Sequence, residues 1–339
     1  MRLPAACFPQ SNKLFWNLFS AGVSVLIFVF ALTPKISYSK GIKGVYPPWC
    51  RKGDPSLHQG YHFNAQTVDN DPDYHGNITA VTLHPKSSLV LYIGGNIFFV
   101  MPRLIKAFLK KYPVIKHVFY ITIPPGILIR MWRNHDAITL GNLTLRVLPG
   151  IFMAGAKKLH YTNKIGMTTG PVTIYASNDL EIMTYKGNPY HITGLKSFAN
   201  PNLTLSMPNP EWEGIARQIK ASLMKGGGKR LEQAVYQKGV KSGRVFLTHI
   251  HHRQTPMRIM EKKSDAGVTW YSEVQFQKII GNPITGVKIP FSENTTALYG
   301  AAMVKGTLNP SGAKKWLDFL KTKTALKIFQ QYGFKPPHK

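Results

Sequence analysis

Three polar turns in the second half of the chain carry the residue types best suited to holding a ligand. They are Pro208-Asn209-Pro210-Glu211-Trp212-Glu213-Gly214, Thr248-His249-Ile250-His251-His252-Arg253-Gln254-Thr255-Pro256, and Asp265-Ala266-Gly267-Val268-Thr269-Trp270-Tyr271-Ser272-Glu273. Each reads as a strand end, a polar turn and a helix start, a geometry that gathers first-turn N–H groups and side chains around one cleft. Two chemistries compete for the second turn. Arg253 can clamp an oxyanion through parallel N–H donors, with Gln254 and Thr255 adding theirs and His251 and His252 beside them. Alternatively, His249 and His251, two apart on a strand, point the same way and would bind zinc or copper with an acid such as Glu213. A third reading gives His249 and His252 ordinary hydrogen bonds at a sheet edge. Glu211 and Glu213 are more economically helix-start acids than a catalytic pair, with Glu213-Gly214 lining the cleft. No Gly-x-Ser-x-Gly, His-Glu-x-x-His or phosphate loop occurs, so a binding protein without enzymatic activity or resident cofactor is expected. Trp270 and Tyr271 would wall the cleft.

The elements that position these turns are legible from hydropathy. Leu89-Val90-Leu91-Tyr92-Ile93 is a short apolar run of the buried parallel type, ended by Gly94-Gly95-Asn96 and followed by Leu104, Ile105, Phe108 and Leu109 at helical spacing. The pattern repeats with a strand over 118–123, the turn Pro124-Pro125-Gly126 and a helix opening at Ile127. Two parallel strands joined by a helix put both turns on one sheet edge, which makes Gly95, Asn96, Pro125 and Gly126 candidate ligand contacts. Further strands are expected over 143–148, 172–178, 203–207, 245–250, 267–271 and 297–304. Helices are expected over 212–223, 313–320 and 325–331.

The first 39 residues have the form of an export leader. Arg2 and Lys13 precede an apolar run over 14–32, and Ser37-Tyr38-Ser39 offers small residues for cleavage; an uncleaved N-terminal anchor is the alternative. Either form places the rest of the chain outside the cytoplasm. Cys7 would leave with a cleaved leader, and Cys50 alone makes no intramolecular disulfide. Residues 40–85, rich in Pro, Gly, Asn and Asp, read as an irregular extension, its Asp69, Asp71 and Asp73 more suited to solvated turns than to calcium. The net charge of +28 is spread along the chain without a dense basic tract or any nucleic-acid-binding motif, so no nucleic acid is expected as a partner, and the charge is compatible with a small anionic ligand or an anionic membrane surface without singling out either.

From Lys86 to Pro337 the chain resembles a periplasmic solute-binding protein of an ABC importer, in the molybdate-binding-like, type II group. The residues that carry the resemblance are Gly94-Gly95-Asn96, Ala176-Ser177-Asn178-Asp179-Leu180 leading into Tyr185-Lys186-Gly187-Asn188-Pro189, and Asn209-Pro210-Glu211 with Glu213-Gly214. Asp265-Ala266-Gly267-Val268 with Trp270, Trp316-Leu317-Asp318-Phe319-Leu320 and Tyr332-Gly333-Phe334 complete them. The resemblance implies an α/β fold of two lobes, each a mostly parallel sheet flanked by helices, joined by two crossing strands. Its first lobe would span 86–177, its second 178–288, and the return with the closing helices 289–339. It implies a monomer that captures a small anion, molybdate-like and tetrahedral, and presents it to an inner-membrane permease. Asn96 stands where the group commonly has Ser, the Pro124-Pro125-Gly126 turn lacks a hydroxyl, and Pro149-Gly150-Ile151-Phe152 lacks the group's Asp, which marks a divergent subgroup. A zinc or copper carrier, or a sensor or scaffold that keeps the fold without transport, are the competing functions.

Overall fold

The structure, a computed structural model, describes residues 74–337 apart from 77, 135–136, 141–142, 212 and 250–251. The leader, Cys50, the acidic turn at 69–73 and His251 lie outside the described residues.

In chain order the strands and helices begin with β1 (Tyr74–His75), α1 (Ile78–Leu83), β2 (Ser88–Ile93), α2 (Met101–Lys111), β3 (His117–Thr122) and α3 (Pro125–Arg133). A ribbon of β4 (Ala137–Leu140) and β5 (Leu143–Arg146) follows, then β6 (Ile151–Gly155), α4 (Ala156–Lys164) and the long β7 (Thr168–Tyr185). Next come β8 (Leu205–Met207), α5 (Ile215–Gln233), β9 (Val245–Leu247), α6 (Gln254–Met260), β10 (Ala266–Trp270) and α7 (Tyr271–Ile279). The chain finishes with β11 (Ile284–Lys288), β12 (Thr296–Val304), α8 (Pro310–Leu320) and α9 (Lys323–Gln331).

The strands run in the order β1-β3-β2-β6-β12-β7-β10-β8-β9, with β11 on the second half of β7. β2 is parallel to β3 and β6, and β8 is parallel to β9 and β10. All six residues of β2 are buried, which is why a parallel strand covered on both faces appears in sequence as an unbroken apolar run. β7 changes partners along its 18 residues: Thr168 to Asp179 face β12, and Leu180 to Tyr185 face β10 and β11. The sheet therefore divides into two lobes at Asp179/Leu180. There the Asn294 side chain stands in for a strand, its Oδ1 accepting from the Leu180 N–H at 3.1 Å and its Nδ2 donating to the Leu180 carbonyl at 2.8 Å.

Trp316, Phe108 and Phe319 are completely buried where α2 packs on α8, with the Phe108 and Trp316 rings edge-on at 4.9 Å. Burial of each such side chain contributes roughly 1.5–3 kcal/mol relative to exposure. Across the lobes, Phe99 stacks on Phe276 of α7 at 4.5 Å, and Phe98 meets the same ring edge-on at 5.5 Å.

Several elements differ from their sequence expectation. The strand expected over 143–148 is shorter and pairs with β4 in a separate ribbon, outside the main sheet. The described end of the extension expected to be irregular contains β1, antiparallel to β3, and α1. The strand expected over 172–178 runs on through Asp179 to Tyr185, because tertiary partners satisfy the polar groups of Ser177, Asn178 and Asp179. Asn178 donates to the Ser272 hydroxyl at 2.8 Å, Ser177 to the Pro336 carbonyl at 2.9 Å, and Asp179 pairs with Lys335.

Candidate functional site

The turns at one edge of the two sheets open on a single cleft of about 760 Å³ between the lobes. The first lobe lines it with Gly95 and Asn96, Pro125 and Gly126, and Gly155 to Lys158; the second lines it with Glu213, Gly214, Arg217, His252 and Trp270. α3, α4 and α5 all begin here. None of the three has a side chain capping its first turn, whereas α8 and α9, away from the cleft, are capped by Asn309 and Thr322. An uncapped helix start leaves N–H groups without intrahelical partners and the positive end of the helix dipole exposed, which is a ready anion site.

The side chains add charge of the same sign. Arg130 and Arg133 from α3, Lys157 and Lys158 from α4 and Arg217 from α5 all line the cleft. Lys158 is held below the usual lysine range, first by burial and then by the nearby Arg217 and Arg130 guanidinium groups. An anion placed between them would relieve that repulsion. Tyr161 sits among the cations, its hydroxyl 2.7 Å from Arg133 Nη2 and its ring 5.9 Å from Lys158 Nζ.

Of the residues that sequence singles out, Gly95, Asn96, Pro125, Gly126, Glu213, Gly214 and His252 line this cleft, while Arg253, Gln254, Thr255 and Tyr271 do not. Arg253 is buried and donates from Nη2 to the carbonyls of Gly95 at 2.5 Å and Thr122 at 2.9 Å, with its guanidinium 4.0 Å over the Phe98 ring. It thus ties the start of α6 in the second lobe to both ligand-type turns of the first. A Cβ on Gly95 would come within 3.3 Å of that guanidinium and 3.2 Å of the Thr122 carbonyl, so a side chain there would press on this contact by a few tenths of an ångström. Gln254 accepts from the His249 backbone N–H at 2.6 Å, and Thr255 shares a hydrogen bond with Ser206 at 3.2 Å. Tyr271 packs beside Gly333.

His252 and Glu213 reach the cleft wall through a buried ionic cluster. His252 Nδ1 lies 2.6 Å from Glu213 Oε2, and Nε2 lies 2.8 Å from Glu273 Oε1. Burial works against the imidazolium, but the Glu273 charge and the bonds to both carboxylates overcome it and push His252 up to about 10. Glu213 also accepts from the His252 and Asn209 backbone N–H groups and from the Thr248 hydroxyl, so its oxygens organise the turn. A protonated imidazole offers no lone pair to zinc or copper. His249 packs its ring on Phe246 at 4.9 Å, and no group of three His, Cys, Asp or Glu side chains is disposed for a metal among the described residues. Asn96 donates to the Tyr299 hydroxyl at 2.7 Å, which fixes its amide at the cleft floor.

The α4 contribution is absent from the sequence expectations. Ile151-Phe152-Met153-Ala154-Gly155 is a buried-strand run as clear as that of β2, and the strand-glycine-helix pattern it opens would place Lys157 and Lys158 at the same edge. Arg130, Arg133 and Arg217 follow from helical spacing once the starts of α3 and α5 are known.

Residues 89–335 match the family described as bacterial extracellular solute-binding protein. The molybdate-binding protein ModA of Mycobacterium tuberculosis is 22% identical over 176 residues, 51% of this chain and 60% of its own length, so this chain spans about three fifths of that relative. Among solved structures, the periplasmic molybdate-binding protein of Azotobacter vinelandii aligns with a TM-score of 0.60 at 16% identity, covering 74% of this chain and 100% of that one. The sulfate-binding protein SubI of Mycobacterium tuberculosis aligns at 0.57 and 18%, covering 74% and 86%. At such identities the two structures speak for the fold, the two-lobed architecture of periplasmic binding proteins. The family match runs from β2 almost to the end of the described chain, and on that breadth this protein belongs to the bacterial extracellular solute-binding proteins.

Proposed function

We propose that the protein captures a small anion, tetrahedral and molybdate-like, in the cleft and delivers it as a monomer, in the periplasm, to the permease of an ABC importer. The observation that carries this reading is the convergence of three uncapped helix starts with Arg130, Lys158 and Arg217 on one cleft. α3 and α4 belong to the first lobe and α5 to the second, so an anion held by both is a differential contact favouring closure. In this reading 86–177 and 289–339 close on 178–288 about the Asp179/Leu180 junction. The likeness to proteins named for molybdate and sulfate agrees with it, and an open cleft favours capture over a scaffold role.

The test is thermal unfolding of the purified full chain with molybdate, sulfate, inorganic phosphate, zinc and copper in turn. A bound oxyanion at about a hundredfold excess over its dissociation constant adds roughly 2.7 kcal/mol and raises the midpoint by a few degrees. A shift with zinc or copper and none with any oxyanion would overturn anion capture.

A further inference from the structure

We propose that the natural ligand is a phosphate monoester of a small organic molecule, its tetrahedral head between Lys158, Arg217 and the starts of α4 and α5 and its carbon body against Ile129, Tyr161 and Leu298, with anion capture in the cleft as the premise.

Size points beyond a bare oxyanion. A tetrahedral ion displaces only a few waters, each with about 30 Å³ of liquid volume. The cleft offers about 760 Å³, within the range of about 300–1,000 Å³ typical of sites that enclose organic ligands. In this open form a bare ion would leave most of that space to water, which closure would have to expel.

Chemistry divides the cleft in the same way. Lys158, Arg217 and Arg130 form no ion pair among the described residues, and Arg217 Nη2 lies 3.9 Å from where a Cβ on Gly214 would stand, over the uncapped start of α5. Three cations and two helix starts match a group carrying about −1.5 to −2 at neutral pH, with oxygens directed at several donors at once. A carboxylate, with one charge and two oxygens in a plane, would leave donors on both lobes unmatched. The rest of the wall is of another kind. Ile129 is buried at the cleft edge, while Tyr161 and Leu298 present 41% and 38% of their surface. Tyr161, held by Arg133 through its hydroxyl and approached over its ring by Arg133 and Lys158, stands at the border between the cationic part and this apolar wall.

Isothermal titration of the full chain with molybdate, inorganic phosphate, glycerol 3-phosphate and phenyl phosphate separates the two levels of the reading. At least one ester is expected to bind about tenfold or more tightly than either inorganic ion. Lys158→Ala should weaken esters and ions together, while Tyr161→Ala should reduce the ester-to-phosphate affinity ratio by about tenfold. Inorganic ions binding as tightly as both esters, or a ratio unchanged in Tyr161→Ala, would overturn the ester assignment and leave anion capture standing. No heat with any of the four would remove both.

Discussion

His252 shows how one buried residue couples ionic chemistry to stability. Its imidazolium lies between Glu213 and Glu273, all three less than 10% exposed, and its folded pKa stands near 10 against about 6.5 in an unfolded chain. The folded state therefore holds the proton more tightly. The stability this contributes is complete below about pH 6.5 and is lost as pH rises towards 10. His252→Ala should cost about 3–5 kcal/mol at pH 6, since it leaves two buried carboxylates without their cation. Urea midpoints followed from pH 6.5 to 10 should fall in the native protein and stay nearly level in the variant; parallel slopes would contradict the assignment. At this scale the residue type is readable from sequence and its partners are not. The His-His-Arg turn announces concentrated charge, but nothing in the order of residues says that Arg253 turns away from the cleft. Side-chain direction depends on the carbonyls of Gly95 and Thr122, more than a hundred positions earlier.

Among the elements, the alternation of strand, glycine turn and helix is the legible part. β2, α2 and β3 follow from apolar runs and helical spacing because parallel strands are buried on both faces. β7 is legible over 172–178, but its continuation to Tyr185 is not, since the polar groups at 177–179 find their partners only in Ser272, Asn294 and the returning chain at Lys335. α4 follows a strand-glycine pattern as clear as that of β2, but its own sequence, Ala156 to Lys164, is polar and buries only Leu159 and Thr162, which leaves a weak helical signal. Arg253 belongs to this scale as well, since it joins α6 to two turns of the other lobe. Arg253→Ala should cost about 3 kcal/mol of stability through two orphaned carbonyls. It should also weaken anion affinity only partly, by loosening the turns at Gly95 and Thr122. Denaturant unfolding and anion titration on the same variant check this; complete loss of binding with unchanged stability would instead make Arg253 a direct ligand contact.

For the whole molecule, the net charge of +28 acquires a location. Part of it converges from both lobes on the cleft, where Arg217 and Arg130 repel Lys158 and a bound anion would relieve that repulsion. Partly enclosed charges are screened less than surface ones, so this cluster matters at physiological salt, where the Debye length is about 8 Å. The two sheets, the strand that passes between them and the uncapped helix starts have one functional meaning if the same anion contacts both lobes. The most direct measurement is isothermal titration of the full chain with molybdate and inorganic phosphate, repeated on Arg217→Glu. One anion per chain is expected, with an affinity lowered at least a hundredfold in the variant, about 2.7 kcal/mol. Binding that is unchanged in Arg217→Glu, or no binding by the native protein of either ion or of a phosphate ester, would contradict capture between the lobes.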